Sequence, residues 1–462
     1  MSLSKFTRVS GSSAAYKTHQ LRVPSEFASL QMAFDSACTR RSQNGERVVI
    51  LIESGYQPTS GILCSNGDFS QVFIESESPL VTLSPLHPTT VDFIHGENCA
   101  APVLACLVDA NARCNNGYLV QNRASGYVLP NCGVINAGGS GLVARYGSFV
   151  KADGTKWTGA AQGGGQTSGI LSWAAGISAE LADTSGSVHY GAQSAHGGWL
   201  SFRGGNADNC QRYGIRATDS GFIDADGASA ENCGLNGIRA FNLGIINFRD
   251  GKARNCGGNT DAASGAISAS YGSTVNAVAA NLSSSKYQAV IALNSTVTLT
   301  QANMSGAYRF GINAQGASNI SAGSSDVSGA GSSGVQALGS TVHCPSINAN
   351  NCAAYGISAL EGSNVNASGA QAVGCGTGGI TARDGSTVNA KGSDTSGTLA
   401  GNCLFAWSGK IVATNAIAQA GASPATTDIR VFEGGEIVAN SGTVGGTSVT
   451  VNTITAAGII YK

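Results

Sequence analysis

The sequence predicts an all-β chain: a right-handed, single-stranded parallel β-helix of about 12–14 rungs with an N-terminal capping helix. Three observations lead there: a repeat, an alternation and a corner composition. The repeat is clearest from Gly214 to Cys256, which reads GIRATDSGFIDADGASAENCGLN and then GIRAFNLGIINFRDGKARNC. Ile215 and Ile238, Ala217 and Ala240, and Cys233 and Cys256 each recur 23 residues apart. Followed outward, the same aliphatic position passes from Tyr118 and Leu142 through Ile170, Ala192, Ile267 and Val290 to Leu404 and Ile429. Most gaps are 22 to 25 residues, with 28 or 29 before Ile170 and Ile267.

Within a unit the pattern is Gly-Ile-x-Ala, a Gly/Ser corner, x-Val-x-Ala and another Gly corner, as in Gly379-Ile380-Thr381-Ala382 and Val388-Asn389-Ala390. Alternation with period two means strands. Each unit holds three of about four or five residues, and consecutive units stack as parallel strands roughly 4.8 Å apart around small apolar side chains. A propeller needs a period of about 40 residues, and leucine-rich repeats need leucines at fixed places; neither is present. The right hand follows from the general handedness of parallel crossovers.

Composition agrees. Of 462 residues 64 are Gly, only 11% are charged and the net charge is −1. Corners rich in Gly and Asn suit stacked rungs. Near-neutrality speaks against a duplex nucleic-acid partner, and no apolar run is long enough to span a membrane. MSLSKFTRVSGSSAAYKTHQ lacks the apolar core and cleavage site of a secretory signal. Thirteen cysteines, an odd number, read as thiols. Cys210, Cys233 and Cys256, and separately Cys352 and Cys375, hold one slot of consecutive units and are expected in file, facing the core. The preceding Asn209, Asn232, Asn255 and Asn351 are expected to form a ladder of side-chain amides. No spacing suggests a metal site, and no cofactor is implied.

In chain order, residues 1–23 read as a polar arm suited to particle attachment. A capping helix is expected from Pro24 to about Arg41, with Phe27, Leu30, Met32, Ala33, Phe34 and Ala37 on one face. It covers the solenoid's open end, and with the first irregular rungs fills 24–110. Regular rungs occupy 111–440. The segment 441–462, with Val449, Val451, Ile454 and Ile459-Ile460-Tyr461, reads as a C-terminal cap or oligomerisation segment.

Phe27-Ala28-Ser29-Leu30-Gln31, then Val48-Val49-Ile50 and Gly55-Tyr56, followed by rungs of about 22 residues, resemble the pectin-lyase-like right-handed β-helix proteins. Within that group the chain is most similar to bacteriophage tailspikes and to spikes of phage-like particles such as gene transfer agents. The resemblance implies a homotrimer on a virion or phage-like particle, a capsid or tail protein bound through the N-terminal region, and host-surface polysaccharide as ligand. The family's enzymatic motifs do not carry over: Ala195-His196-Gly197-Gly198 lacks the glycine before the histidine and the paired aspartates.

The rungs also sort side chains by face. With Ile215, Ala217, Ile223 and Ala225 inward, a shift of 23 stacks Trp199 on Phe222, aligns Ser201, Asp224 and Asn247, and aligns Arg203, Asp226 and Arg249. Asp208, Glu231 and Arg254 form a further column at the next corner. Aromatic faces and paired charged groups on one strip suit an extended glycan. Beyond about Ser264 the outward positions read as mostly Ser, Thr, Asn and Ala. Were the chain catalytic, Asp224, Asp226, Asp208 and Glu231 are the candidate carboxylates, with His189 and His196 as candidate bases. Three functions stay open: a spike binding host capsular polysaccharide, a depolymerase (lyase or glycoside hydrolase) of the same shape, and a structural adhesin.

Overall fold

In a computed structural model the chain is described over residues 18–41, 47–160, 167–258, 264–419, 427–444 and 459–461. It is a parallel β-solenoid of about 16 turns. One sheet of 16 strands runs from Ile62–Ser65 to Thr427–Phe432, and a second of 15 runs from Ser125–Tyr127 to Ile459–Tyr461. We call them the long and the short sheet, after their usual strands of six and three residues, as in Tyr213–Thr218 and Phe222–Asp224. The expectation of 12–14 rungs was low because the irregular leading segments Ile62–Ser65 and Ile94–Glu97 already pair in the long sheet.

The expected columns are physical files. Ile215 pairs with Ile238 and Ala217 with Ala240, and the file continues through Ile267 and Val290 to Leu404 and Ile429. Through the regular rungs the third expected strand is reduced to single bridges, one residue per rung, as at Asn206, Ser229 and Lys252, while near the ends it keeps paired strands, Leu107–Asp109 with Gly133–Ile135 and Ile417–Ala418 with Thr443–Val444. The glycine of Gly-Ile-x-Ala packs against this face. A Cβ built on Gly214 lies 2.6 Å from Ala230 Cβ and 2.8 Å from Gly237 O; on Gly356 it lies 2.4 Å from Ala372 Cβ. The long strand and the bridge face are so close that only hydrogen fits between them. Each glycine also interrupts the ladder without shifting its register: Tyr213 pairs with Asn236 and Ile215 with Ile238, while the glycines between them do not pair.

Cys210, Cys233 and Cys256 do stand in file, as a buried cluster of free thiols. Cys256 Sγ donates to Ala230 O at 3.0 Å and Cys233 Sγ to Ala207 O at 3.5 Å. The asparagine ladder needs correction. Of the four named residues only Asn255 and Asn232 bond through their side chains, at 3.3 Å. What Asn209, Asn232, Asn255 and Asn351 share is φ of 56–57°, a left-handed corner that Asn tolerates better than other side chains.

The helix spans Leu30–Arg41, not Pro24 onward, and Ser29 Oγ caps it by accepting from Met32 N at 3.2 Å. Leu30, Ala33, Phe34 and Ala37 are buried, but Met32 is 54% exposed, contrary to its expected place on the apolar face. His19–Val23, assigned to the polar arm, instead pairs with Val48–Ile52 as the first strand; residues 1–17 lie outside the described residues. At the other end Ile459–Tyr461 pairs with Glu436–Val438 as a further short-sheet strand, while Val449, Val451 and Ile454 lie outside the described residues.

Gly214→Ala forces a methyl group into the Ala230 contact and is expected to lower stability by about 1–3 kcal/mol in thermal or urea unfolding. An unchanged midpoint contradicts the close approach. The thiol file gives a second expectation. The Cys233 and Cys256 thiols are held well above their ordinary value, first by the thiol one rung earlier and then by burial; burial pushes Cys344 up to about 12. Eleven of the 13 thiols are buried, so the folded chain is expected to resist a thiol reagent at pH 9 through lack of access, apart from half-buried Cys38 and Cys132. In denaturant all 13 thiols are expected to label.

Candidate functional site

On the short sheet the predicted strip exists as a surface. Trp199 pairs with Phe222 and Phe222 with Ile245, while Ser201, Asp224 and Asn247 align one column on. Trp199 is 40% exposed. The charges are distributed differently from the expected run along Arg203, Asp226 and Arg249. Arg203 Nε donates to Asp224 Oδ2 at 2.7 Å, and Arg249 Nε donates to Asp226 Oδ2 at 2.9 Å. Arg254 pairs with Glu231 at the corner. Asp208 Oδ1 accepts from Ser229 Oγ at 2.6 Å and Glu231 N at 2.7 Å.

All four candidate carboxylates are therefore engaged by neighbouring rungs. In each ion pair the guanidinium is about half exposed and the carboxylate largely covered; Asp224 itself is buried, against its expected outward exposure, and its Oδ1 has no partner. The histidines do not converge on the acids. His189 and His196 flank opposite ends of the strand Tyr190–Ala195 on the long sheet. His189 is shifted down by burial, with Arg212 beside it. The His196 ring lies 4.0 Å from that of Trp173.

The long sheet carries a site that the sequence reading passed over. Arg216 alternates with buried Ile215 and Ala217 and so faces outward. Its register file runs from Leu119, Val143 and Leu171 through Gln193 and Arg216 to Arg239. Leu119, Val143 and Leu171 form a buried cluster of their own, separate from the core. Outward side chains are buried only where flanking ones shield them, so this face is a trough along the solenoid axis. The glycine kink turns Tyr190 and Tyr213 outward onto its flank; both are buried, yet neither belongs to the core cluster.

Tyr190 and Tyr213 stack with centroids 5.5 Å apart and planes 5° from parallel. The Arg216 guanidinium lies 4.8 Å from the Tyr190 centroid and that of Arg239 lies 5.0 Å from the Tyr213 centroid. Arg239 Nη1 also donates to Tyr213 Oη at 3.1 Å. Such contacts contribute about 0.5–2 kcal/mol, more as water is excluded. Burial pulls the Arg216 guanidinium below its ordinary value, and its Nε is buried with no hydrogen-bond partner. The arrangement offers planar N–H donors held rigidly over rings, which suits sugar hydroxyls and carboxylates.

The face continues well past Ser264, against the expectation of a bland surface there. Arg309 lies 4.8 Å from the Phe310 centroid, and Arg383 lies 5.2 Å and 5.5 Å from those of Phe405 and Trp407. Part of the signal was in the sequence, with Tyr213 two residues before Ile215 and Arg216 one after it, but Arg309 and Arg383 stand three residues before Ile312 and three after Ile380, where no single spacing finds them. The first part was missed because Tyr213 was not assigned a face. At the N-terminal end a pocket of about 500 Å³ is lined by Gln31, Ile62, Leu63, Val91, Asp92 and His95, among others. There His95 Nδ1 lies 3.2 Å from Asp92 Oδ2, and this partner raises the imidazole's pKa. Among the described residues no group of His, Cys, Asp and Glu is placed to hold a metal ion.

No family model and no curated protein matches the chain. Solved structures do. Tailspike protein 3 of bacteriophage CBA120 is 10% identical over 95% of this chain, with a TM-score of 0.29; the chain spans 59% of that protein's length. A double mutant of the tailspike of E. coli bacteriophage HK620, in complex with a pentasaccharide, is 11% identical over 88% of this chain and 76% of its own, TM-score 0.33. The catalytic domain of a GH87 α-1,3-glucanase in complex with nigerose is 11% identical over 92% of this chain and 69% of its own, TM-score 0.23. What this chain binds is read from its own side chains. In architecture alone, it is similar to phage tailspike proteins and to β-helix glycoside hydrolases and epimerases.

Proposed function

We propose that the chain is a spike of a phage or phage-like particle, such as a gene transfer agent, that binds host cell-surface polysaccharide, capsule included, and so attaches the particle. The observation that carries this reading is the row of guanidiniums laid over aromatic rings on the outer face of the long sheet, at Arg216, Arg239, Tyr190 and Tyr213. Trp199 and Phe222 extend it around the corner onto the short sheet, with Arg203, Asp224, Asp226, Asn247 and Arg249 as the polar groups beside them. The exposed ring of Trp199 packs against the C–H face of a sugar, and the guanidiniums held on buried Tyr190 and Tyr213 bond its hydroxyls.

A solenoid of about 16 turns makes a rod roughly 75 Å long at 4.8 Å per rung, which presents these faces along its length. As a spike it would be held to a capsid or tail protein through its N-terminal region and would act as a homotrimer. Binding is favoured over cleavage because Asp224, Asp226, Asp208 and Glu231 are each tied to a neighbouring rung.

A glycan array is expected to show one polysaccharide class bound. Arg239→Ala removes a donor held over a ring and is expected to weaken that binding about tenfold or more, the equivalent of about 1.4 kcal/mol. Trp199→Ala is expected to weaken it by about threefold to tenfold. Full affinity in both variants contradicts the site. Incubated with the bound polysaccharide, the protein is expected to leave chain length and reducing ends unchanged; new reducing ends favour the depolymerase.

A further inference from the structure

The two outer faces differ in how their arginines are compensated. On the short sheet and its corners, Arg203, Arg249 and Arg254 each hold a carboxylate. On the long sheet Arg216, Arg239, Arg309, Arg383 and Arg430 hold none among the described residues; their contacts are to rings and tyrosine hydroxyls instead. The registered outward files from Gln193, through Arg216 and Arg239, to Arg430 and Phe432 contain no Asp or Glu. The acid whose field reaches Arg216 is Asp219, at the corner beyond the strand, where Asn242 and Thr218 already donate to it. Buried Nε atoms of both Arg216 and Arg383, and buried Thr381 Oγ1, have no partner.

The arginines are also spaced. From the rung of Arg239 to that of Phe310 is three steps of register, through Ile267 and Val290. From Ile312 to the rung of Arg383 is three more, through Val335 and Ile357 to Ile380. In rung height the three stations lie roughly 14 Å apart at about 4.8 Å per rung, while across the strand Arg239 stands one residue after Ile238, Arg309 three before Ile312 and Arg383 three after Ile380. Each has the same composition: a guanidinium on a ring and, at Tyr213, Tyr287 and Tyr355, a phenolic oxygen accepting from it.

We infer that the polysaccharide is an extended polyanion, carrying carboxylate, sulfate or phosphate groups, and that it lies along the solenoid axis across these three stations. This rests on the polysaccharide-binding reading above and names its ligand class. Stacking fixes each guanidinium plane so that its free edge meets an anion bidentately, and successive stations raise one another's occupancy through a shared chain.

The test uses the full chain with dextran sulfate, polygalacturonate and unmodified dextran, and titrates each by calorimetry at low and high salt. Both charged polymers are expected to bind, dextran at least tenfold more weakly, and the charged binding to fall with salt. Oligomers long enough to reach two stations are expected to bind at least tenfold tighter than those that reach one. The Arg216→Gln/Arg239→Gln and Arg383→Gln variants are each expected to lose about tenfold, while Arg254→Gln/Lys410→Gln, which removes equal charge from residues paired with Glu231 and Glu436, keeps its affinity. Circular dichroism confirms that each variant folds. Equal weakening by the Arg254→Gln/Lys410→Gln control, or dextran bound as well as the polyanions, overturns this inference and leaves polysaccharide binding standing. If neither these polymers nor any glycan on an array binds, both readings fall.

Discussion

The structure depends on one constraint: backbone must meet backbone across a very thin cross-section. Each rung bonds to the next through parallel ladders on two sheets and a single bridge on the third face, and the walls approach until Gly214, Gly237 and Gly356 have room only for hydrogen. That explains the composition. Large side chains fit where the section widens, as at Phe202 and Phe248, and Ala, Val and Ile fill the rest. A slip of one residue would turn every buried Ile and Ala to water, so register is held along the whole rod.

The same constraint produces the outer surface. Because files are in register, a residue type chosen at one outward position becomes part of a stripe, and stripes on different sheets can be given different chemistry. Paired charges cover the short sheet and its corners, where Asp226 meets Arg249 and Glu231 meets Arg254. The long sheet carries arginines on rings, inside a trough whose outward leucines are already shielded from water. Such a rod has one face whose arginines are neutralised by carboxylates and one whose arginines lie on rings instead.

Much of this was legible in the sequence. The recurrence of Ile215 and Ile238 set the rungs, and the outward columns of Trp199 and Phe222, and of Asp224 and Asn247, lie where period-two alternation put them. What alternation hid is the kink. Where Gly214 interrupts the strand, the parity of inward and outward flips, so Tyr213 faces out although it stands two residues before an inward Ile215. The third face was overcalled for a related reason, since Ser229 and its equivalents pair singly and leave no strand to detect. Side-chain pairing was beyond reach: nothing in spacing says that Arg203 chooses Asp224 one rung on in place of Asp226. Nor does it say that the recurring corner asparagine serves a backbone angle ahead of an amide ladder.

The most direct measurement is a pulsed dipolar distance between spin labels at Thr274→Cys and Thr387→Cys, in a chain whose half-buried Cys38 and Cys132 are replaced by serine. Both threonines are exposed and belong to one file that passes through Thr296, Asn319, Thr341 and Asn364, five register steps in all. In-file stacking predicts a narrow distribution centred near 24 Å, five rungs at about 4.8 Å. A broad distribution, or one displaced by more than about two rungs, would contradict the register and with it every stripe drawn on the rod.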